Sequence, residues 1–426
     1  MAINEAASPT AYQLLWRIAR GDVFGADTAV HIRLLDSAEN QDVLGGVAME
    51  LDDLAVPNVA SVGCFADMAA AVDGADSVVL FTGAIGTRSD AAETTDAAVG
   101  VAKAAGATLA ESLSAKVLLI GQNCNGAAAV LAALAPNLTK SISTLTALPE
   151  ARARACIAAK LSGRVDADDL RITGANIQNV VVWGGDSAMP VVDVSNAMVT
   201  EFGATVGENQ DVELSSVLRD SAFTGPDGES QRELSETPGT LLGGFKPRGI
   251  FGWIRDRDAA MTKAKGGSGG GGPAMLTAKT AAAQLVAQFS DGVTDNYYSS
   301  VGVDSTGNSY GVPEGVFFSF PVTADGEGGF AIVAGLEIDE QVKAAFEEAA
   351  AAALTARDAC LIKAGLPIPQ PEPEPEPEPA AEAEVAEVVG DPEGDGAAEG
   401  VAAEGVAEAS NEEAPAEEPA VADGEE

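Results

Sequence analysis

The sequence predicts an α/β protein built on a doubly wound parallel sheet, followed by an α+β domain and an acidic tail. Three observations carry this. Short apolar runs, Val30–Leu35, Ser77–Thr82 and Lys116–Ile120, are each closed by polar or glycine residues, and helical stretches separate them over the first 150 residues. After residue 151 helical stretches mix with a strand at Val180–Trp183 and hairpin-like strands around Val301 and Phe317–Phe320. From Pro371 the chain becomes a repeat of Pro and Glu and then an Ala/Glu/Gly mixture.

In chain order, Tyr12–Ala19 has apolar residues at helical spacing, and Val30–Leu35 reads as a strand ending at Asp36. The first four residues, Met1–Asn4, read as too short for a central strand. Asp96–Leu113 is Ala-rich and predicts a helix between the strands Ser77–Thr82 and Lys116–Ile120. The second half predicts a helix over Arg152–Leu161 and a buried strand over Val180–Trp183, closed by the turn Gly184-Gly185. A helix near Leu276–Phe289 and strands around Val301 and Phe317–Phe320 follow. A last helix, Asp339–Ala364, places Val342, Phe346, Ala349 and Ala353 on one face. Lys265–Pro273 (KGGSGGGGP) interrupts helical sequence, and each glycine there costs about 1 kcal/mol relative to alanine. The organisation is therefore residues 1–150, 151–366 and 367–426.

Composition narrows the function classes. The net charge is −41, and residues 370–426 hold 20 Asp and Glu with no Lys or Arg, which leaves −21 on the remainder. Such a tail buries too little apolar area to offset its ordering entropy, so it is expected to be disordered, with a stiff Pro-rich first part. The acidity disfavours nucleic acid and anionic membranes as partners. Cys64, Cys124, Cys156 and Cys360 lack any metal-ligand spacing and read as reduced intracellular thiols. No apolar run reaches the length of a membrane span, and MAINEAASP lacks the features of a secretory signal.

Several blocks then resemble one family in the right order. Ala11–Gly25 (AYQLLWRIARGDVFG), His31–Asp36, Val43–Pro57 (VLGGVAMELDDLAVP), Trp183–Ala188 (WGGDSA) and Gly302–Pro321 (GVDSTGNSYGVPEGVFFSFP) look like malate dehydrogenases of the cytosolic and chloroplast type. The resemblance covers about residues 1–360. It implies a Rossmann-like domain followed by a C-terminal domain of the lactate/malate dehydrogenase type, and it implies NAD or NADP as the cofactor if there is one.

The positions that the resemblance marks as functional depart from the family. Where the proton-carrying His of W-G-N-H-S-A would stand, this chain has Asp186. The family's T-R-L-D-H-N-R-A segment reads Thr146 to Ala153 here, so a substrate arginine becomes Ala147 and the carboxylate that orients the histidine becomes Pro149. Dicarboxylate substrates call for bidentate arginines. In Gly83–Asp96 only Arg88 matches one, and the second falls near Thr94 or Thr95. In the cofactor turn, G-A-A-G-Q-I-A corresponds to Glu5 to Ala11, so Glu5 and Ser8 replace the glycines that let backbone approach a pyrophosphate. Asp36 keeps the place that the resemblance assigns to ribose binding, and Asn125 keeps a ligand-contact position. Gly272 and Pro273 replace the serine-bearing pair on a later helix. The single histidine, His31, reads as a half-buried strand residue remote from Asp186.

The sequence thus points to a malate dehydrogenase-like pseudoenzyme, a structural or scaffold subunit acting with protein partners as a homo- or hetero-oligomer, with no cofactor expected. The alternatives are an NAD(P)-dependent malate dehydrogenase, and a nucleotide or metabolite sensor using Asp36, Asn125 and Arg88. Cytoplasm, cilium or flagellum, and plastid are all compatible with this composition.

Overall fold

The first strand, β1 (Ala2–Ile3), is only two residues long, yet it lies inside the sheet, flanked in parallel by β2 (Val30–Leu35) and β4 (Ser77–Phe81). This corrects the expectation that Met1–Asn4 could not form a central strand. Residues beyond the strand continue its ladder. The Met1 ammonium donates to the His31 carbonyl at 2.6 Å, Arg33 N–H donates to the Met1 carbonyl, and Asn4 N–H donates to the Val79 carbonyl. The Asn4 side chain then pairs with both backbone groups of Phe81, at 3.0 and 2.6 Å, replacing one more residue of ladder.

The computed structural model describes residues 1–83, 91–162, 173–185, 191–201, 210–213, 222–224, 231–233, 257, 260–261, 263–265, 273–290, 297–338 and 340–369. The acidic tail and the glycines of residues 266–272 lie outside them. With β3 (Val59–Phe65), β5 (Lys116–Ile120) and β6 (Ile142–Thr144), the parallel part of the sheet runs in the order 3-2-1-4-5-6. The reversal at β1 and β4 leaves a crevice at the strands' carboxyl ends, where open α/β sheets bind ligands. Helices α1 (Pro9–Ala19), α2 (Gln41–Asp53), α3 (Met68–Val72), α4 (Ala91–Leu109) and α5 (Cys124–Leu134) make the crossovers.

After α6 (Leu148–Ser162) the chain forms β7 (Ile177–Gln178) and the antiparallel pair β8 (Val181–Trp183) and β9 (Val191–Asp193). β10 (Met198–Glu201) joins β7 to β11 (Gln210–Glu213), and β12 (Ala222–Thr224) pairs with β13 (Gln231–Glu233). Then come α7 (Ala274–Gln288), β14 (Ser299–Asp304), β15 (Phe317–Ala324), β16 (Phe330–Ile332) and α8 (Glu340–Ala364). The strands β14, β15 and β16 extend the main sheet antiparallel from β6, so one nine-stranded sheet crosses residue 150 without a break.

Among the described residues, apolar clusters hold these layers. Leu14, Leu15 and Ile18 of α1 pack with Ala278 and Leu285 of α7 against Ile3 and Val79. On the other face, Val99 and Leu109 of α4, Val130 and Leu131 of α5 and Leu361 of α8 cover Val78, Leu80 and Leu119. Each fully buried Leu or Ile contributes about 1.5–3 kcal/mol. The third cluster centres on Trp183, whose ring meets Tyr310, Phe346 and Phe320 at centroid distances of 4.9, 5.3 and 6.5 Å. Of the four residues predicted on one face of α8, Val342, Phe346 and Ala349 are buried and Ala353 is partly buried.

His31 is exposed, not half-buried, and its Nδ1 lies 2.8 Å from Ser61 Oγ. The strand's two-residue period turns Val30, Ile32 and Leu34 inward and His31 outward, next to a register shift between Val30 and His31.

Candidate functional site

The turn from β1 to α1 sits at the reversal of strand order, where a dinucleotide would be held. Glu5 takes φ of 47°, a left-handed conformation that suits glycine and strains a residue with a Cβ. The following residues start a well-capped helix. Ser8 is the N-cap, its Oγ accepting from Ala11 N–H at 3.2 Å, and Pro9 occupies the first helical turn, where its missing N–H costs nothing.

The same geometry uses up the amides of the turn. Ala6 N–H donates to the Leu35 carbonyl at 3.1 Å, Ala7 N–H to Asp36 Oδ2 at 3.0 Å, and Ser8 N–H to the Glu5 carbonyl at 2.8 Å. Asp36 is equally occupied, because its Oδ1 accepts from Ser37 N–H and Asn40 Nδ2, both at 2.8 Å. Burial, and then the neighbouring Asp36, push the Glu5 carboxyl up from 4.5 to about 7. A pyrophosphate needs free N–H groups and positive potential at a helix N-terminus. Here it would meet amides already paired and two carboxyl groups, so these residues do not fit a dinucleotide held in that way.

A second cluster gathers around the end of β8. Asn125, at the start of α5, donates from Nδ2 to the Gly184 carbonyl at 2.9 Å and accepts from Thr144 Oγ1 at 2.6 Å. Both bonds are buried, so this retained position joins α5, β6 and the end of β8. Gly184 and Gly185 have φ of 83° and 81°. A Cβ on Gly185 would lie 2.4 Å from Thr146 Cγ2, so glycine is required there for space as well as for conformation. Thr146 itself pairs with Ser319, the two hydroxyls 2.7 Å apart.

Ala147 and Pro149 lie at the start of α6, both partly buried. The next residue, Glu150, is one that the sequence reading does not single out. It is buried, pairs with Arg154 at 2.9 Å and accepts Ser300 N–H at 2.7 Å. Removal from water outweighs Arg154 and these hydrogen bonds and raises its carboxyl above the usual range. Ser300 Oγ in turn accepts Val182 N–H at 2.9 Å, so Glu150 and Ser300 tie α6 and β14 to β8. The i, i+4 spacing of Glu150 and Arg154 was the available signal; the partner Ser300, 150 residues away, was not.

Asp186 and Arg88 lie outside the described residues, as does Gly272. Thr95 accepts from Asn123 Nδ2 at 3.1 Å, and Pro273 is the residue before α7, with no side-chain cap. Among the described residues no group of three or more His, Cys, Asp or Glu could hold a metal ion. None of the four cysteines is in a disulfide, and all are buried except Cys64.

Known proteins agree with this architecture. The family model for the lactate/malate dehydrogenase alpha/beta C-terminal domain matches residues 248–362. Cytoplasmic malate dehydrogenase of Felis catus is 31% identical over 344 residues, covering 79% of this chain and 90% of that protein. The Homo sapiens cytoplasmic enzyme is 31% identical over 326 residues, covering 75% and 84%. Among solved structures, malate dehydrogenase of Naegleria fowleri superposes with a TM-score of 0.67 at 23% identity, covering 85% of this chain and 97% of that one. Trichomonas vaginalis lactate dehydrogenase in complex with NADH and oxamate gives 0.69 at 24% identity, with the same coverage. The ordered blocks, the 3-2-1-4-5-6 sheet with its antiparallel extension and the two cytoplasmic relatives lead to one assignment: this chain belongs to the lactate/malate dehydrogenase family.

Proposed function

We propose that this chain is a malate dehydrogenase-like protein without turnover, serving as a structural or scaffold subunit with protein partners in a cytoplasmic assembly. The observation that carries the reading is the β1–α1 turn, whose amides and Asp36 are satisfied within the chain while Glu5 stands where backbone should approach a phosphate. The residue changes at Asp186, Pro149 and Ala147 support it, since acid–base catalysis and dicarboxylate anchoring each lose a group the family uses. Such groups act as a unit, so Asp186→His alone is expected to stay inactive.

A second reading is an NAD(P)-dependent malate dehydrogenase. The relatives are malate dehydrogenases by name and match most of their own length, which favours this reading more directly than ours. Titration of the full chain with NADH, with and without oxaloacetate, separates the possibilities. Our reading expects neither fluorescence enhancement nor NADH oxidation. Oxidation at about 1 s⁻¹ or faster, the ordinary enzymatic range, would establish the second. Enhancement without oxidation would indicate a nucleotide sensor.

A further inference from the structure

The nine-stranded sheet ends on β16 at one edge and on β3 at the other. An edge strand presents unpaired backbone groups, and proteins blunt such edges with short strands, charges, proline or a covering element. β16 is three residues long and so presents little. β3 is different. It runs for seven residues, Val59–Phe65, with neither a charged residue nor a proline among them. A register shift opposite Val30 and His31 bulges its start, and from Ser61 to Phe65 it pairs with β2 without a break.

The ladder fixes which backbone groups point outward. The Phe65 carbonyl accepts from Asp36 N–H at 3.2 Å, so Phe65 faces β2, and the period of two turns Gly63 and Ser61 the same way. Val62 and Cys64 therefore direct their N–H and C=O groups away from the sheet. Among the described residues none of these groups has a hydrogen-bond partner, and the Cys64 side chain beside them is exposed.

The charges at the two ends select the occupant. Asp52 and Asp53 precede the strand and Asp67 follows it, all exposed. Exposed Glu39 lies next to Gln41, whose side chain donates to the Phe65 carbonyl at 3.0 Å. The cation of β2, Arg33 in register with Gly63, turns to the Ala71 and Asp73 carbonyls. A net charge of −41 on each chain opposes joining two copies edge to edge.

We infer that the β3 edge is a docking site for an extended segment of another protein, which adds a strand beside Val62 and Cys64 and carries Lys or Arg at its ends toward Asp52, Asp53 and Asp67. Main-chain hydrogen bonds supply the affinity in such an addition, and the charges at the ends set the choice of partner. The inference holds whether or not the chain turns over a substrate.

The probe is a nine-residue peptide of alternating Val and Thr with two Lys at each end. One control carries Glu in place of Lys, and the other carries N-methyl groups on all core amides, which removes the donors a strand needs. Binding to the full chain is followed by titration, and hydrogen-exchange mass spectrometry locates it. The Lys-ended peptide should slow exchange over Ser61–Phe65. Cys64→Pro removes an outward donor and Cys64→Lys adds a repelling charge, and each should weaken binding at least ten-fold. The position is exposed, and melting curves establish that both variants are folded. Four results would overturn the inference: no slowing over Ser61–Phe65, slowing confined to residues 371–426, equal binding of either control peptide, or a peptide-free dimer in which β3 is already protected and which Cys64→Lys disperses.

Discussion

The β1–α1 turn and the end of β8 lie in one sheet-based body but are held in different ways. At the turn, polar bonds do the work, most of them local: Ser8 caps its own helix, Ser8 N–H returns to Glu5, and Asp36 accepts from Ser37 and Asn40 and, across 29 residues, from Ala7. At β8, bulk and long-range contacts dominate, with Trp183 sealed among Tyr310, Phe320 and Phe346, and Asn125 and Glu150 making buried bonds to distant strands. The lesson concerns which positions can change. A turn whose amides bond within the chain can absorb substitutions in its own loop, whereas a packed strand end tolerates little because each atom there has a neighbour.

The comparison can be broken most forcefully at Trp183. Trp183→Ala empties the centre of the aromatic cluster and should cost about 3–5 kcal/mol, read as a lowered denaturation midpoint with cooperative unfolding. A loss below about 1 kcal/mol would mean that the strand end is not held by packing. Asn125→Ala comes next. It leaves the Gly184 carbonyl with the longer 3.4 Å bond from Ser319 N–H and removes the acceptor of Thr144, and about 2 kcal/mol should be lost by chemical denaturation.

At the turn the informative variable is pH. The folded pKa of Glu5, about 7, lies above the unfolded value near 4.5, so the folded chain keeps this proton longer. The cost of ionising Glu5 is therefore absent below about pH 4.5, grows as pH rises and is complete above about pH 7. The shift corresponds to about 3 kcal/mol, which partial solvent exposure reduces to about 2. Glu5→Gln should leave stability unchanged near pH 4 and raise it by about 2 kcal/mol at pH 8; an equal gain at both would assign the effect to packing. The smallest expected change is at Ser8. Ser8→Ala removes the cap of α1 and should cost about 1 kcal/mol, and a neutral result would show that Pro9 and the Ser8 backbone suffice to start the helix.

By itself the sequence determined the element types and several of their bounds. Val30–Leu35 and Lys116–Ile120 are strands over the predicted residues, and α8 buries Val342, Phe346 and Ala349 as its period requires. These features depend on local periodicity, which a single segment carries in full. The order of the family-like blocks likewise announced the doubly wound sheet and the departures from the family at Glu5, Ser8, Ala147, Pro149 and Asp186. What only the tertiary structure decided is where each polar group finds its partner. That β1 is central follows from Asn4 reaching Phe81, 77 residues away, and that His31 is exposed follows from how β2 meets its neighbours. The family resemblance gives Asn125 a ligand-contact position, and in the fold Thr144 and Gly184 bond its side chain. Glu150 carries no sequence signal of burial, yet Ser300 and Arg154 hold it in the interior. Hydrogen bonds to distant segments cost the sequence no visible pattern, because one donor and one acceptor suffice and neither has a period to reveal it.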